Sequence, residues 1–295
     1  MRTIPYCARG LFDGSGFGMT RKTAQCRFAM SPVSFYPACE KNMSSSSLTA
    51  SFRSYRRAAP HAGERSFQIV VEQSDLWITV GGVAKNAPCL RETSLARVRE
   101  LRSQISAWML LDPAFAGSLT PVAAPGHAPE VIRRMCEASA VMGVGPMATV
   151  AGAVAALTAE ALLPWCSDCM VENGGDSMLH STKERIVALL PDPGRKAVLG
   201  LRIPAEAFPL SLCASSGRFG HSLSFGNGDL AVVRARDAFL ADAAATAFCN
   251  MLKTPDDAGR TAEHAATFQQ AGIDGVFLQC GSGIGIWGDM ELVAL

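Results

Sequence analysis

From Val141 to Ala159 the chain runs for nineteen residues without one charged side chain. Such a stretch must leave water, and it can do so in a bilayer or in a protein core. Nineteen residues approach the length that spans a membrane. Gly143, Gly145, Pro146, Thr149, Gly152, Thr158 and many alanines nevertheless make it only mildly apolar, and Leu, Ile and Phe are nearly absent. A helix that opens after Gly145-Pro146, where proline suits the first turn, and is buried on all sides accounts for it better. The expectation is a core helix of small residues with no membrane partner.

The rest of the pattern must enclose that helix. Phe67 to Glu72 and Asp75 to Val80, with Ser74 between them, read as a strand hairpin. Arg91 to Leu111 has helical spacing through Leu95, Val98, Leu101, Ile105 and Trp108 and stops at Asp112-Pro113. Pro129 to Met142 is a second helix, and the small-residue helix runs from Met147. Short strands follow at Met170–Glu172, Arg185–Leu190, Ala197–Ile203, Ser211–Ala214 and Leu230–Arg234. A helix from Asp237 to Leu252 precedes the final strands Val276–Cys280, Ile284–Trp287 and Glu291–Val293. Strands and helices come in separate runs, which predicts an α+β fold: a largely antiparallel sheet packed with helices in one compact domain.

That domain is expected to begin near Arg53. Residues 1–52 are rich in Ser, Gly, Pro and Arg, show no period, and lack the apolar segment of a secretory signal. They read as a disordered leader, or as the product of a start placed too early, with Met43 the true first residue. The net charge of +1 gives no reason to expect nucleic acid. The ten cysteines lie mostly alone in apolar surroundings, as buried thiols do in a reducing compartment. With no export signal, this places the protein in the cytoplasm. Cys166-Ser-Asp-Cys169 has no second metal-binding pair at a suitable distance and reads as a turn leading into a strand.

Chemistry concentrates between Cys213 and Thr246. Asp242 and Thr246 stand four apart in the last long helix, so their oxygens share one face amid alanines. Such a pair is half of a hard-cation site of the kind that holds magnesium beside a phosphate. It is equally the pattern of a packing helix whose Asp242 bonds to a neighbouring backbone amide. Ser215-Ser216-Gly217 with His221 offers a hydroxyl and a base, or a hydrogen-bonded turn, and no GxSxG pattern accompanies it. Gly174-Gly175-Asp176 closes a strand with a turn through which backbone amides could approach a ligand. Gly143 to Ala148 leads into a helix whose first amides could face an anion or simply cap the helix. Gly281-Ser-Gly283-Ile-Gly285 has no helix after it, so it is no dinucleotide fingerprint.

Taken in order, GVGPMATVAGAVA, VENGGD, SSGRFGHSLSFG and LADAAATAFCN resemble the ApbE-like superfamily, in a branch apart from its FAD:protein FMN transferases, formerly called thiamine-biosynthesis ApbE proteins. The resemblance runs from about Tyr55 to Leu295. It implies the ApbE-like fold and, in its fullest form, magnesium-dependent transfer of FMN from FAD to a protein hydroxyl. Asp242, Thr246 and the main-chain carbonyl of Ala148 would then hold Mg2+. Gly174, Gly175, Ser215, Ser216 and Gly217 would line the flavin nucleotide, and Asp176 or His221 would take the hydroxyl proton. The partners the resemblance implies are a flavin or nucleotide and an acceptor protein; small-residue helix faces such as Ala148 to Ala156 could form a homo-oligomer or equally serve packing within the chain. Departures concern the flavin half: Gly217 and His221 are only four apart, and Leu223-Ser-Phe-Gly226 replaces the Asp-Pro-x-Thr-Gly turn of the transferases. A non-catalytic flavin or nucleotide binder, or a metal-dependent enzyme acting on another phosphorylated substrate, fits the same residues.

Overall fold

Alternating burial along Ser74–Gly81, with Leu76, Ile78 and Val80 turned inward, starts a sheet that organises everything after it. The computed structural model describes residues 62–189, 199–217 and 226–295. They fall in one compact unit, Ser44–Leu295. The expected leader 1–52, Met43 and His221 lie outside the described residues, as do Leu190 and Ala197.

Eight antiparallel strands make the main sheet. They are β1 (Arg65–Val71), β2 (Ser74–Gly81), β3 (Asp168–Asn173), β4 (Asp176–His180), β7 (Leu210–Ser215), β8 (Leu230–Ala235), β9 (Ile273–Cys280) and β10 (Gly283–Gly288), in that spatial order. Strands β5 (Arg185–Leu189), β6 (Leu199–Ile203) and β11 (Glu291–Ala294) form a second sheet in the order β11-β6-β5. It packs on one face of the first through Leu201, Ile203, Leu212, Val232 and Phe277. Helices cover the other face: α1 (Leu90–Leu111) lies on β1, α4 (Val150–Leu162) on β3 and β4, α5 (Ala238–Met251) on β7 and β8, and α6 (Asp257–Ala265) on β9 and β10. The short α2 (Pro113–Gly117) follows α1, and α3 (Glu130–Met142) packs against α5. With both faces covered, all six residues of β8 are buried. The α+β class with an antiparallel sheet is thus the observed one.

Helix α4 explains its own composition. Every residue from Gly152 to Ala159 is buried, so no face is left for a charge. The segment Pro146–Trp165 is long and apolar enough to cross a membrane, yet 61% of its most apolar window is buried inside the protein. Small side chains let α5 come very close. A Cβ on Gly152 would stand 2.3 Å from the Ala238 carbonyl oxygen and 2.9 Å from the Asp242 Cβ. Only glycine fits at that crossing.

Some local details differ from the sequence reading. The first hairpin turns at Glu72-Gln73, with Glu72 at φ 52°, and Ser74 pairs with Val71 inside the ladder. Strand β4 was not anticipated because its five residues, Asp176–His180, carry too few large apolar side chains. Helix α6 was not anticipated either. Its inward residues Ala258, Thr261, Ala262 and Ala265 have helical spacing but too little bulk to stand out as a hydrophobic stripe.

A buried polar anchor ties the first sheet to the second. Asp168 accepts hydrogen bonds from the Thr182 amide at 2.8 Å, Ser167 Oγ at 2.9 Å and Ser181 Oγ at 3.1 Å. Arg185 reaches Asp168 at 3.5 Å and also pairs with Glu64, just before β1. Burial alone would raise the Asp168 pKa, but these donors outweigh it and hold the carboxyl at about 2 instead of 3.8. An acid with a depressed folded-state pKa stabilises the fold above its unfolded value of about 3.9 and loses that contribution as the pH falls toward 2. Asp168→Asn should therefore lower stability by about 2 kcal/mol at neutral pH. Urea titrations of both proteins should show this gap closing between about pH 4 and pH 2.

Candidate functional site

Asn173 and Asp176 face each other across the two-residue turn Gly174-Gly175. Both glycines have positive φ, 73° and 123°, a geometry that side-chain-bearing residues rarely adopt. The alternation of the sheet sets Asn173 and Asp176 on the same face as Val171 and Met178, toward the helices. From there the Asn173 Nδ2 donates to the Ala151 carbonyl at 3.2 Å, joining the turn to the first residues of α4. Asp176 Oδ1 accepts the Ala214 amide at 3.1 Å, and the Cys213 thiol also bonds to this carboxyl.

Strand β7 delivers Ser215 to the same face as Cys213. Its hydroxyl is buried with no hydrogen-bond partner. Ser216 and Gly217 follow, and Gly217 donates to the Gly228 carbonyl at 2.9 Å. A Cβ on Gly217 would stand 2.2 Å from the Gly226 carbonyl oxygen, so the chain on either side of residues 218–225 is drawn together here. His221 belongs to that interval.

Helix α5 supplies the opposing wall. Asp237 starts it by accepting the Phe239 amide at 2.8 Å. One turn in, Asp242 is buried and its Oδ2 accepts the Gly152 amide at 2.8 Å, with a further bond from the Ala151 amide. Thr149, which precedes α4, makes no side-chain cap and gives its hydroxyl to the Pro146 carbonyl at 2.8 Å. Asp242 therefore caps α4 from another helix. The anion that the first amides of α4 attract is this carboxylate.

Asp176 stands close enough for Asp242 to feel its charge, and Glu172 adds to the negative field at Asp176. Burial first, and the repulsion from Asp176 second, push the Asp242 carboxyl well above the usual range. Burial also lifts Asp176, to about 7, against the bonds from Ala214 and Cys213. The Cys213 thiol is raised by burial and by both carboxylates. Among the described residues no Lys, Arg or His pairs with either acid.

Two buried carboxyls without a cationic partner are a chemical opening for a cation. Thr246 lies one helical turn beyond Asp242 and is half-buried. Ala148 sits in the single 3-10 turn Pro146–Thr149, which packs on α5. A carboxylate, a hydroxyl and a main-chain carbonyl are all hard oxygen donors, so this set fits magnesium better than zinc. Among the described residues no three His, Cys, Asp or Glu side chains converge as a metal cluster. A cation here would thus rest largely on neutral oxygens. Cys213, Asn173 and Gly152 were not singled out by their residue types. Position beside the Gly-Gly turn and inside the small-residue run was the only signal for Asn173 and Gly152. Cys166 and Cys169 are buried and hydrogen-bonded to each other at the entry to β3, as the turn reading expects.

Three comparisons bear on this arrangement. A family model described as AbpE bacteria matches residues 57–273. The UPF0280 protein of Methanosarcina acetivorans is 34% identical over 225 residues, covering 76% of this chain and 88% of that relative. The UPF0280 protein of Archaeoglobus fulgidus is 41% identical over 162 residues, covering 55% of this chain and 66% of its own length. In fold, the chain is similar to the apo form of the Pseudomonas stutzeri flavinyl transferase ApbE, with a TM-score of 0.51 at 12% identity over 76% of this chain and 94% of that one.

The cap and the charge at Asp242 can be separated. Asp242→Ala leaves amides of α4 unsatisfied and should cost about 1–2 kcal/mol in urea unfolding. Asp242→Asn keeps an acceptor and removes a buried acid whose ionisation is opposed by burial and by Asp176. A raised folded-state pKa works against stability as pH climbs from the unfolded value toward the folded one. In chelator, the wild type should therefore lose stability as the pH rises from about 4 toward 7. Asp242→Asn should flatten that decline and match or exceed the wild type at pH values above about 7.

Proposed function

The chain belongs to the AbpE bacteria family, and from that membership we propose that it is a magnesium-dependent enzyme that transfers FMN from FAD to a protein hydroxyl. The observation that carries the reading is the pair of buried acids, Asp176 and Asp242, lacking any basic partner among the described residues, beside the unbonded hydroxyl of Ser215. Magnesium on Asp242, Thr246 and the Ala148 carbonyl would neutralise charge on the pyrophosphate of FAD. Gly174 and Gly175 leave the turn open, with no heavy atom nearer than 3.9 Å to a Cβ built at either. Backbone there can approach a flat ligand closely. Ser215, Ser216 and Gly217 would contact the phosphates and flavin from the end of β7.

In the reaction the acceptor hydroxyl oxygen bonds to the FMN phosphorus, and the bond from that phosphorus to the bridging oxygen breaks. AMP leaves with the bridging oxygen. The hydroxyl proton passes to a base, and Asp176 is our first choice for it, with His221 the alternative. Neither a nucleic acid nor a membrane enters this scheme.

The test is AMP release from FAD by the purified protein with an acceptor protein or water as nucleophile. Magnesium should be required, and Asp242→Asn and Thr246→Ala should each lower the rate at least about a hundredfold. Equal AMP release by wild type and Asp242→Asn would remove the metal role. Flavin that co-purifies and fluoresces, with no AMP under any condition, would mark a binder without turnover.

A further inference from the structure

A polar hollow lies on the opposite face of the main sheet from Asp176 and Asp242. It has a volume of about 590 Å3 and is lined by Arg202 on β6, Arg234 on β8, Arg236 just past β8, and Asp274, Asp289 and Glu291. Arg234 shares its face of β8 with Val232, which packs on the small sheet, whereas Ser215 and Cys213 face the helices. Arg234 pairs with Leu212 and Ser215 pairs with Ala231. Arg234 is thus three residues, about 10 Å, along the strands from Ser215 but in register with Ser177, one residue from Asp176, so the separation from that acid is across the sheet.

At Arg234 the cation is the deeper partner, while Arg202 and Asp274 are half-buried and Arg236 is exposed. The Arg234 side chain is only 10% exposed, while the Asp289 carboxylate it meets at 3.7 Å is 75% exposed. Arg234 Nη1 donates to the Asp289 carbonyl at 2.6 Å, but its Nε is buried with no partner. Arg202 is more exposed, at 43% of its side chain, although its Nε is buried. Its Nε lies 3.5 Å from Glu291, whose side chain is 60% exposed, and makes no hydrogen bond. Arg236 is exposed and pairs with no carboxylate among the described residues. The acids here do not converge as a cation cluster. Exposed carboxylates hold such pairs weakly and can swing into water. What remains inside is a buried guanidinium and its neighbours with donors to spare.

We propose that this hollow binds a small phosphoryl-bearing molecule, with Arg234 as its floor and Arg202 and Arg236 as its sides. Three guanidiniums carried by separate segments can meet several oxygens of a tetrahedral phosphoryl group, whereas a planar carboxylate is satisfied by one fork. The volume leaves room for an organic portion beyond the phosphate. This site is separate from the one assigned to FAD, and the ligand would act there as a second substrate group or an effector.

Inorganic phosphate is the probe, added to the full chain in the presence of chelator so that no divalent cation contributes. Calorimetry should show saturable binding, and thermal unfolding should rise by about 3 °C at saturation. Arg236→Gln and Arg202→Gln, both at partly exposed positions, should each weaken binding about tenfold while leaving the unliganded melting temperature within about 1 °C. Asp242→Asn should bind phosphate as the wild type does. Citrate in a parallel arm should bind at least tenfold more weakly than phosphate. Three results would each overturn the proposal: no saturable binding at about 10 mM phosphate, equal binding by both arginine variants, or loss of binding in Asp242→Asn. Preference for citrate would overturn the phosphoryl assignment.

Discussion

The fold turns on one contact, the Asp242 carboxylate of α5 against the amides of Gly152 and Ala151 at the start of α4. Helix α4 is buried from Gly152 to Ala159, so the Gly152 N–H cannot turn to water. Its own cap residue, Thr149, is occupied elsewhere. A buried helix end without partners is costly, and here the partner comes from ninety residues away. That bond forces the two helices together at Gly152. The same closeness brings a charge into the interior beside Asp176. Packing and electrostatics are fixed by a single side chain.

The sheet then separates two environments. Toward the helices, β4 and β7 present an acid, a thiol and a hydroxyl with no basic partner among the described residues. Toward the small sheet, β8 presents Arg234, whose ion-pair partner among the described residues is the exposed Asp289 carboxylate. Because neighbouring residues of a strand point to opposite faces, Val233 and Arg234 sort the core from the arginine hollow with no extra structure. A one-residue slip in β8 would exchange them. The classic-length ladder from Ser211↔Ala235 to Ser215↔Ala231 holds that register.

Much of this was legible before any coordinates. The uncharged small-residue run marked α4 as a core helix, buried from Gly152 to Ala159, and Asp112-Pro113 marked the end of α1, where Asp112 also caps α2 through the Ala114 and Phe115 amides. Separate runs of strands and helices sufficed for the α+β class. Helix α6 was hidden because alanine and threonine bury well but weigh little in a hydrophobic pattern. At the site, Asp242 and Asp176 stood out by residue type and setting. Their mutual approach did not, since it depends on where β4 lies relative to α5 and no local spacing encodes that. The arginine hollow was equally invisible. Its residues come from β6, β8, β9 and the chain around β11, and each of its three arginines looks locally like an ordinary solvated one.

Capping α4 and holding a cation are compatible tasks for Asp242. An ionised carboxylate has about four lone-pair sites, and the amides of Gly152 and Ala151 take two. The positive end of α4 is worth roughly half an elementary charge, which one carboxylate more than balances. With Asp176 close by, two ionised acids would leave an excess of negative charge that nothing basic among the described residues offsets. A divalent cation brought in with a pyrophosphate would meet that excess. Thus the arrangement that looks like a structural cap from α4 looks like a half-built ligand set from the sheet. A mere packing helix would need Asp242 alone. The second buried acid, Asp176, is the part that packing leaves unexplained.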